Sequence, residues 1–223
     1  MKKVHRLICD SQPTDWFHKI KQECMTYPIR LMNIDNTDLI IDVGANVGGF
    51  MAAWSHISSN WCLVEPSKYN QEEITKNLRT FNYTLFKNAV GNKSGEVLKL
   101  QKYMQPDKNK DTPSGNMGTT GFVYGDIKGH GWQGSYEEVE SISFDDLCGG
   151  QNVGLLKVDC EGAEYDFLIN KDLSRIKYIT MELHNFLGRD KINTLCDFIG
   201  NTHSQIFSDG GLPGHYIKAW KIK

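Results

Sequence analysis

The stretch DLIIDVGANVGGF, from Asp38 to Phe50, decides the fold. Leu39 to Val43 is apolar but for Asp42 and ends at Gly44, the pattern of a strand buried on both faces. Val47 to Ile57 then reads as a helix. A buried strand that turns through glycine into a helix is the opening unit of a parallel sheet wound with helices.

The same rhythm continues outward from that turn. Trp61 to Val64 reads as a second strand stopping at Glu65-Pro66, and Ser67 suits the N-cap of a helix running to about Phe81. Tyr83 to Asn88 is a third strand. Gly91 to Gly95 reads as a turn, and Glu96 to Leu100 alternates as an extended segment. Val139 to Ser143 alternates again and suits pairing with it. Between them, about Gln105 to Ser135 is rich in Gly, Pro, Asn, Asp, Ser and Thr, a functional loop or a partly disordered one. Winding resumes with Val153 to Asp159 (strand), Ala163 to Asn170 (helix), Tyr178 to His184 (strand) and Asp190 to Gly200 (helix). His203 to Ser208 and Tyr216 to Ile222 are strands joined by a connection too short for a crossover helix, so they are antiparallel neighbours. Before the turn, Trp16, Phe17, Ile20 and Cys24 fall at helical spacing. Residues 1–37 are thus a helical extension, a lid or a brace for the sheet. Residues 38–223 form one domain with a loop-rich insertion at about 94–143.

At 223 residues the chain holds one α/β core and little room for a second. A formal net charge of −2 argues against a general nucleic-acid surface. No apolar run is long enough to span a bilayer, and the Leu7-Ile8-Cys9 stretch is too short for a signal peptide. The six cysteines form no CxxC pair and read as free thiols of a reducing compartment. On that basis Asn82-Tyr83-Thr84 and Asn92-Lys93-Ser94 are chance glycosylation patterns. The expected location is the cytoplasm, with no membrane partner.

The chemistry begins at the turn. A diphosphate site would carry GxGxxG or GxxxxGK[ST], and this turn has neither. Asp42 would oppose a diphosphate, whereas the amino and sulfonium groups of S-adenosylmethionine are attracted to a carboxylate. Gly44 lets backbone approach a ligand, and the later glycines allow close packing. A tight βα turn without a ligand is the structural alternative. Glu65, at the end of the second strand, can accept hydrogen bonds from both ribose hydroxyls. Two later strands end in reactive groups: Asp159 and Glu161 after Leu155 to Val158, and Glu182 and His184 in ITMELH. Residues at i and i+2 share a strand face, so Asp159, Glu182 and His184 can converge at the sheet's carboxyl edge. One of them could take a proton from an acceptor hydroxyl, or Asp159 and Glu182 could hold a divalent metal such as Mg2+ that acidifies it. His184 alone could equally be a structural histidine. Glu164 and Asp166 read as helix-face residues.

In order along the chain, DLIIDVGANVGGF, LVEPS (Leu63–Ser67), NAVGNKSGEV (Asn88–Val97), SISFDDL (Ser141–Leu147), LLKVDCEGAEYDFL (Leu155–Leu168) and ITMELHN (Ile179–Asn185) resemble the FkbM family. The glycine turn is shared by many methyltransferases; its combination with KVDCEGAE is much more specific. The resemblance implies the Rossmann-like fold of class I S-adenosylmethionine-dependent methyltransferases. That fold has a mostly parallel seven-stranded sheet with an antiparallel last strand, here with a small β insertion before the fourth strand. It implies methyl transfer to oxygen, often a hydroxyl of a sugar or secondary metabolite. Carried over, Asp42, Gly44, Asn46, Gly48 and Glu65 would hold the cofactor, with Asn88 and Ala89 near the adenine. Asp159, Glu161 and Glu182 match the family's acidic positions at the active-site rim. The insertion, with SGNMGTTGF (Ser114–Phe122), resembles the family only loosely, and the N-terminal segment has no family signature.

The acceptor is therefore a saccharide or small metabolite. Tyr103, Phe122, Tyr124 and Trp132 could stack on sugar faces or anchor the loop. A base-amino methyltransferase would need an Asp/Asn-Pro-Pro-aromatic segment, which is missing. A ribose 2′-hydroxyl enzyme usually arranges Lys, Asp, Lys and Glu; Lys157, Asp159 and Glu182 imitate part of it without a second lysine. A non-catalytic cofactor-binding module would have no need of the convergent polar groups.

Overall fold

The computed structural model describes residues 14–101, 136–184, 188–209 and 215–223. Its first elements are α1 (Thr14–Cys24), a 3-10 turn (Ile29–Leu31), β1 (Leu39–Val43), α2 (Gly49–Trp54), β2 (Asn60–Val64), α3 (Lys68–Asn77) and β3 (Thr84–Phe86). Then come β4 (Ala89–Gly91), β5 (Val97–Gln101), β6 (Tyr136–Ser143), α4 (Phe144–Cys148), β7 (Val153–Val158), α5 (Glu164–Leu168) and β8 (Ile176–His184). The chain closes with α6 (Arg189–Thr202), β9 (His203–Ser208) and β10 (His215–Ile222).

The main sheet has seven strands in the order β3-β2-β1-β7-β8-β10-β9. Neighbours from β3 to β8 run parallel, and β10 is antiparallel to both β8 and β9. This is the expected α/β architecture, down to the reversed last strand. The winding changes direction at β1, which pairs with β2 on one side and β7 on the other. Ligands of open α/β sheets bind beyond the carboxyl ends of strands at such a point.

Alternation along the strands divides the core in two. Ile41, Val43, Leu156, Val158, Ile179 and Met181 pack with Phe144, Phe167, Leu195 and Ile199 from α4, α5 and α6. Ile40, Leu63, Leu155 and Tyr178 pack with Phe17, Phe50, Met51, Ile74 and Leu78 from α1, α2 and α3. The N-terminal helix packs on α2. It comes so close to α2 that a Cβ on Gly49 would lie 2.6 Å from Ile20 Cγ2.

Several elements depart from the sequence reading. The third strand spans Thr84–Phe86, shorter at both ends than the expected Tyr83 to Asn88, and a strand that the sequence reading lacks, Ala89–Gly91, pairs parallel with β6 in a small second sheet. The other edge of β6 carries β5, antiparallel and in the expected pairing. Helix α4 was not foreseen, although Ser143 caps it by accepting from the Asp146 N–H at 3.2 Å. Helix α2 starts at Gly49 rather than Val47 because Gly48 sits at φ +86. Ser67 caps α3 as expected, but that helix ends at Asn77. Residues 102–135, including the aromatics and SGNMGTTGF singled out in the sequence, lie outside the described residues. Among the described residues no helix is long and apolar enough to cross a membrane.

Candidate active site

Gly44, just past β1, adopts φ +75, and a Cβ there would lie 1.8 Å from the Asp159 carbonyl oxygen. Glycine is therefore dictated by the closeness of the β1 and β7 ends. The turn continues through Asn46 at φ +51, whose N–H donates to Glu65 Oε2 at 2.8 Å. Glu65 Oε1 accepts from the Ser67 N–H at 2.9 Å and from Asn70 Nδ2 at 3.2 Å. Burial pushes the Glu65 carboxyl up to about 7, against the pull of these donors. Asn46 and Glu65, placed together in the sequence reading, are thus joined directly.

Register places Asp42 opposite Lys157 on β7. Both side chains are buried, and Lys157 Nζ lies 3.0 Å from Asp42 Oδ1. The same ammonium donates to the Gly44 carbonyl at 3.0 Å and stands 3.5 Å from Asp159 Oδ2. Burial alone would favour a neutral amine, but the carboxylates of Asp42 and Asp159 outweigh it and raise the Lys157 pKa. Asp42 is fully buried, so its carboxylate acts from beneath the turn and not as an open surface group.

Asp159, Glu182 and His184 come together at the carboxyl edge of β7 and β8, as the spacing predicts. The Tyr27 hydroxyl lies 3.2 Å from Asp159 Oδ2 and 3.4 Å from Glu182 Oε2. Burial and those two carboxylates raise the phenol's pKa well above its usual value, so it remains a donor. His184 is buried, with Nε2 3.3 Å from Glu161 Oε2 and 3.9 Å from Glu182 Oε1. Its Nδ1 is 3.3 Å from Glu164 Oε1. The Asp159, Glu161 and Glu182 side chains are each about one quarter exposed, so they form a partly open acidic rim beside the buried imidazole.

Glu164 corrects the helix-face reading. It is fully buried, and it accepts from the Cys160 and Gly162 N–H groups at 3.3 and 2.9 Å. It opens α5 directly after a tight turn, which folds its side chain back toward the N–H groups of that turn. Asp166 is half-buried on the helix, as read. Asn88 is half-buried, with its Nδ2 donating to the Glu140 carbonyl at 3.3 Å, and Ala89 is buried against Leu100 and Val139. Sequence reasoning missed Tyr27, which is 132 residues from Asp159 and carries no motif. It also left Lys157 without a structural role, although a lysine inside the apolar run LLKV signals a buried partner.

A family profile described as the Methyltransferase FkbM domain matches residues 42–208. Solved structures also resemble the fold. Methyltransferase FkbM from Methylobacillus flagellatus KT superimposes with a TM-score of 0.57 at 13% identity, covering 92% of this chain and 50% of that one. An rRNA methylase from Streptococcus thermophilus gives 0.50 at 9% identity, covering 96% and 99%. A ribosomal protein L11 methylase from Lactobacillus delbrueckii subsp. bulgaricus gives 0.50 at 11%, covering 92% and 80%. The chain spans half the length of the FkbM structure it matches. No curated protein matches the sequence. Likeness at these identities speaks to fold, whereas the profile covers most of the chain, including the β1 turn and the acidic strand ends: the chain belongs to the FkbM methyltransferase domain family, on the class I methyltransferase fold.

Proposed function

We propose that this chain is an S-adenosylmethionine-dependent O-methyltransferase acting on a hydroxyl of a saccharide or small metabolite. The observation that carries the reading is the rim of Asp159 and Glu182, joined by Tyr27 and set over His184, beside the β1 turn and its partner Glu65. Asp42, Gly44, Asn46, Gly48 and Glu65 would hold the cofactor, with Asn88 and Ala89 toward its adenine. The residues fit such a ligand: Asn46 Oδ1 is a buried acceptor without a hydrogen-bond partner among the described residues. Glu65 Oε2 accepts the Asn46 N–H and keeps a further lone pair. Hydroxyl or amino donors of a ligand would satisfy both.

Bound S-adenosylmethionine supplies an electrophilic methyl group on a positively charged sulfonium. The protein's part is to favour that charge with carboxylates, to orient the acceptor and to receive its proton. Asp159, fixed by Lys157 and Tyr27, accepts a hydrogen bond from a second donor group of the acceptor and so orients the reacting hydroxyl. Glu182 would accept the hydrogen bond of the reacting hydroxyl and take its proton as the oxygen–methyl bond forms, the methyl–sulfur bond breaks and a neutral thioether leaves. His184, pinned by Glu164, supports the rim from below.

Ribose 2′-hydroxyl methylation is the second reading, because Lys157, Asp159 and Glu182 do cluster. Lys157, however, is sealed between Asp42 and the turn carbonyls, where it cannot reach an acceptor. The net charge of −2 also offers little to a phosphate backbone. The same reading makes this a cytoplasmic enzyme, in keeping with the free thiols at Cys24, Cys62, Cys148, Cys160 and Cys196. The test is mass spectrometry after incubation with isotopically labelled cofactor and a panel of saccharides, hydroxylated metabolites and RNA. Label on a small-molecule oxygen supports the proposal; label only on RNA, nitrogen or carbon overturns it.

Glu65 gives a pH dependence. Ribose donors bind the ionised carboxylate, and this group's pKa is raised to about 7 by burial. Lowering pH through that value protonates Glu65 and removes the preferred acceptor. Calorimetric affinity for S-adenosylmethionine should be about tenfold weaker near pH 6 than near pH 8. Glu65→Gln should flatten the slope. A wild-type affinity that rises on acidification would contradict the ribose role.

A further inference from the structure

Beyond the carboxyl ends of β7 and β8, Asp159, Glu161 and His184 each bring one donor atom to a common point, all within 4.8 Å of one another. Donors about 2.1 Å from one cation lie roughly 3 Å apart when adjacent and about 4.2 Å when opposite. The spacing thus suits closure on an ion after small side-chain movements.

The imidazole gives the cluster its character. The His184 side chain is 1% exposed, and its Nδ1 faces Glu164 Oε1 at 3.3 Å. Glu164 is locked in turn by the Cys160 and Gly162 N–H groups. With its carboxylate held by those donors, Glu164 takes the Nδ1–H and fixes the ring, so that Nε2 faces Glu161 Oε2 at 3.3 Å on the rim. A buried carboxylate that fixes a histidine in this way is how metal-binding imidazoles are oriented. The charge balance points in the same direction. Asp159, Glu161, Glu164 and Glu182 surround the ring, while Lys157, the ammonium near Asp159, is shared with Asp42.

We propose that Asp159, Glu161 and His184 bind a divalent first-row metal ion, with Glu164 as the positioning residue behind His184. One imidazole nitrogen and two carboxylate oxygens suit Mn2+ or Zn2+ better than Ca2+. Glu182, with its Oε1 3.9 Å from Nε2, stands outside the set and keeps its contact with the Tyr27 hydroxyl. The metal pair expected from sequence, Asp159 with Glu182, is thereby redrawn around Glu161 and the imidazole. Metal binding stands on this geometry alone; its meaning for an acceptor hydroxyl, whose proton a metal would make easier to remove, rests on the methyl-transfer reading.

The test uses the chelator-treated full chain titrated with Mn2+, following the electron paramagnetic resonance signal of the free aqueous ion. Wild type should remove one equivalent of signal per chain. Glu161→Gln and His184→Ala should abolish this uptake, and Glu164→Gln should weaken it by about 10–100-fold at unchanged stoichiometry. Circular dichroism reports whether each variant folds. If His184→Ala does not fold, Glu161→Gln, at a rim position that supports no core packing, decides. A full free-ion signal with folded wild type overturns the site, as does wild-type affinity in Glu161→Gln. Calorimetry with S-adenosylmethionine on the same samples keeps failure of the metal site distinct from failure of the cofactor reading.

Discussion

Lys157→Met should destabilise the protein by about 3–5 kcal/mol, because it strips a buried carboxylate of its counter-ion. Asp42 is fully buried, and Lys157 Nζ stands 3.0 Å from its Oδ1. Methionine fills much of the lysine's volume, so lost packing contributes little. What is lost is the charge, together with the donor to the Gly44 carbonyl. Denaturant midpoints measure the effect. The double variant Asp42→Leu/Lys157→Met should recover most of the loss, since a buried pair can be replaced by apolar residues at little cost. A single-variant loss below about 1 kcal/mol would mean that Asp42 is carried neutral in the native protein.

The second large effect concerns turnover. Asp159→Ala and Glu182→Ala, made singly, should each lower the methyl-transfer rate by about 10²–10⁴-fold, the range for a positioned proton-transfer group. Cofactor affinity should change little, because Glu65 follows β2, on the other side of β1 from β7 and Asp159. Undiminished turnover in both variants would remove these carboxylates from the chemistry. Loss of cofactor binding together with turnover would place them in the cofactor site instead.

The fold was legible because β1, β2 and β7 are apolar runs ended by glycine or acidic residues, and they alternate with helical patterns. Boundaries failed where a single backbone conformation governs: Gly48 in the left-handed region delays α2, and the break at Lys87-Asn88 sends β4 into a second sheet. Helix α4 carries a signal of its own in Ser143 and Asp146, a capping pair directly after the alternating strand. In the site, Asp159, Glu182 and His184 were legible because each ends a strand and period-two alternation fixes its face. Tyr27 was not, because its contact with Asp159 spans 132 residues and depends on how α1 docks against α2. Glu164 was misread because helical periodicity cannot anticipate a first-turn side chain folding back on the turn that precedes it.

The central claim is that the turn leaving β1, with Glu65 beside it, binds S-adenosylmethionine and not a dinucleotide. Calorimetric titration of the full chain tests this most directly, with S-adenosylmethionine and a nicotinamide dinucleotide as the two ligands. Saturable one-to-one binding of S-adenosylmethionine and no heat from the dinucleotide are the expected results. Absence of S-adenosylmethionine binding at millimolar ligand, or preference for the dinucleotide, would contradict it.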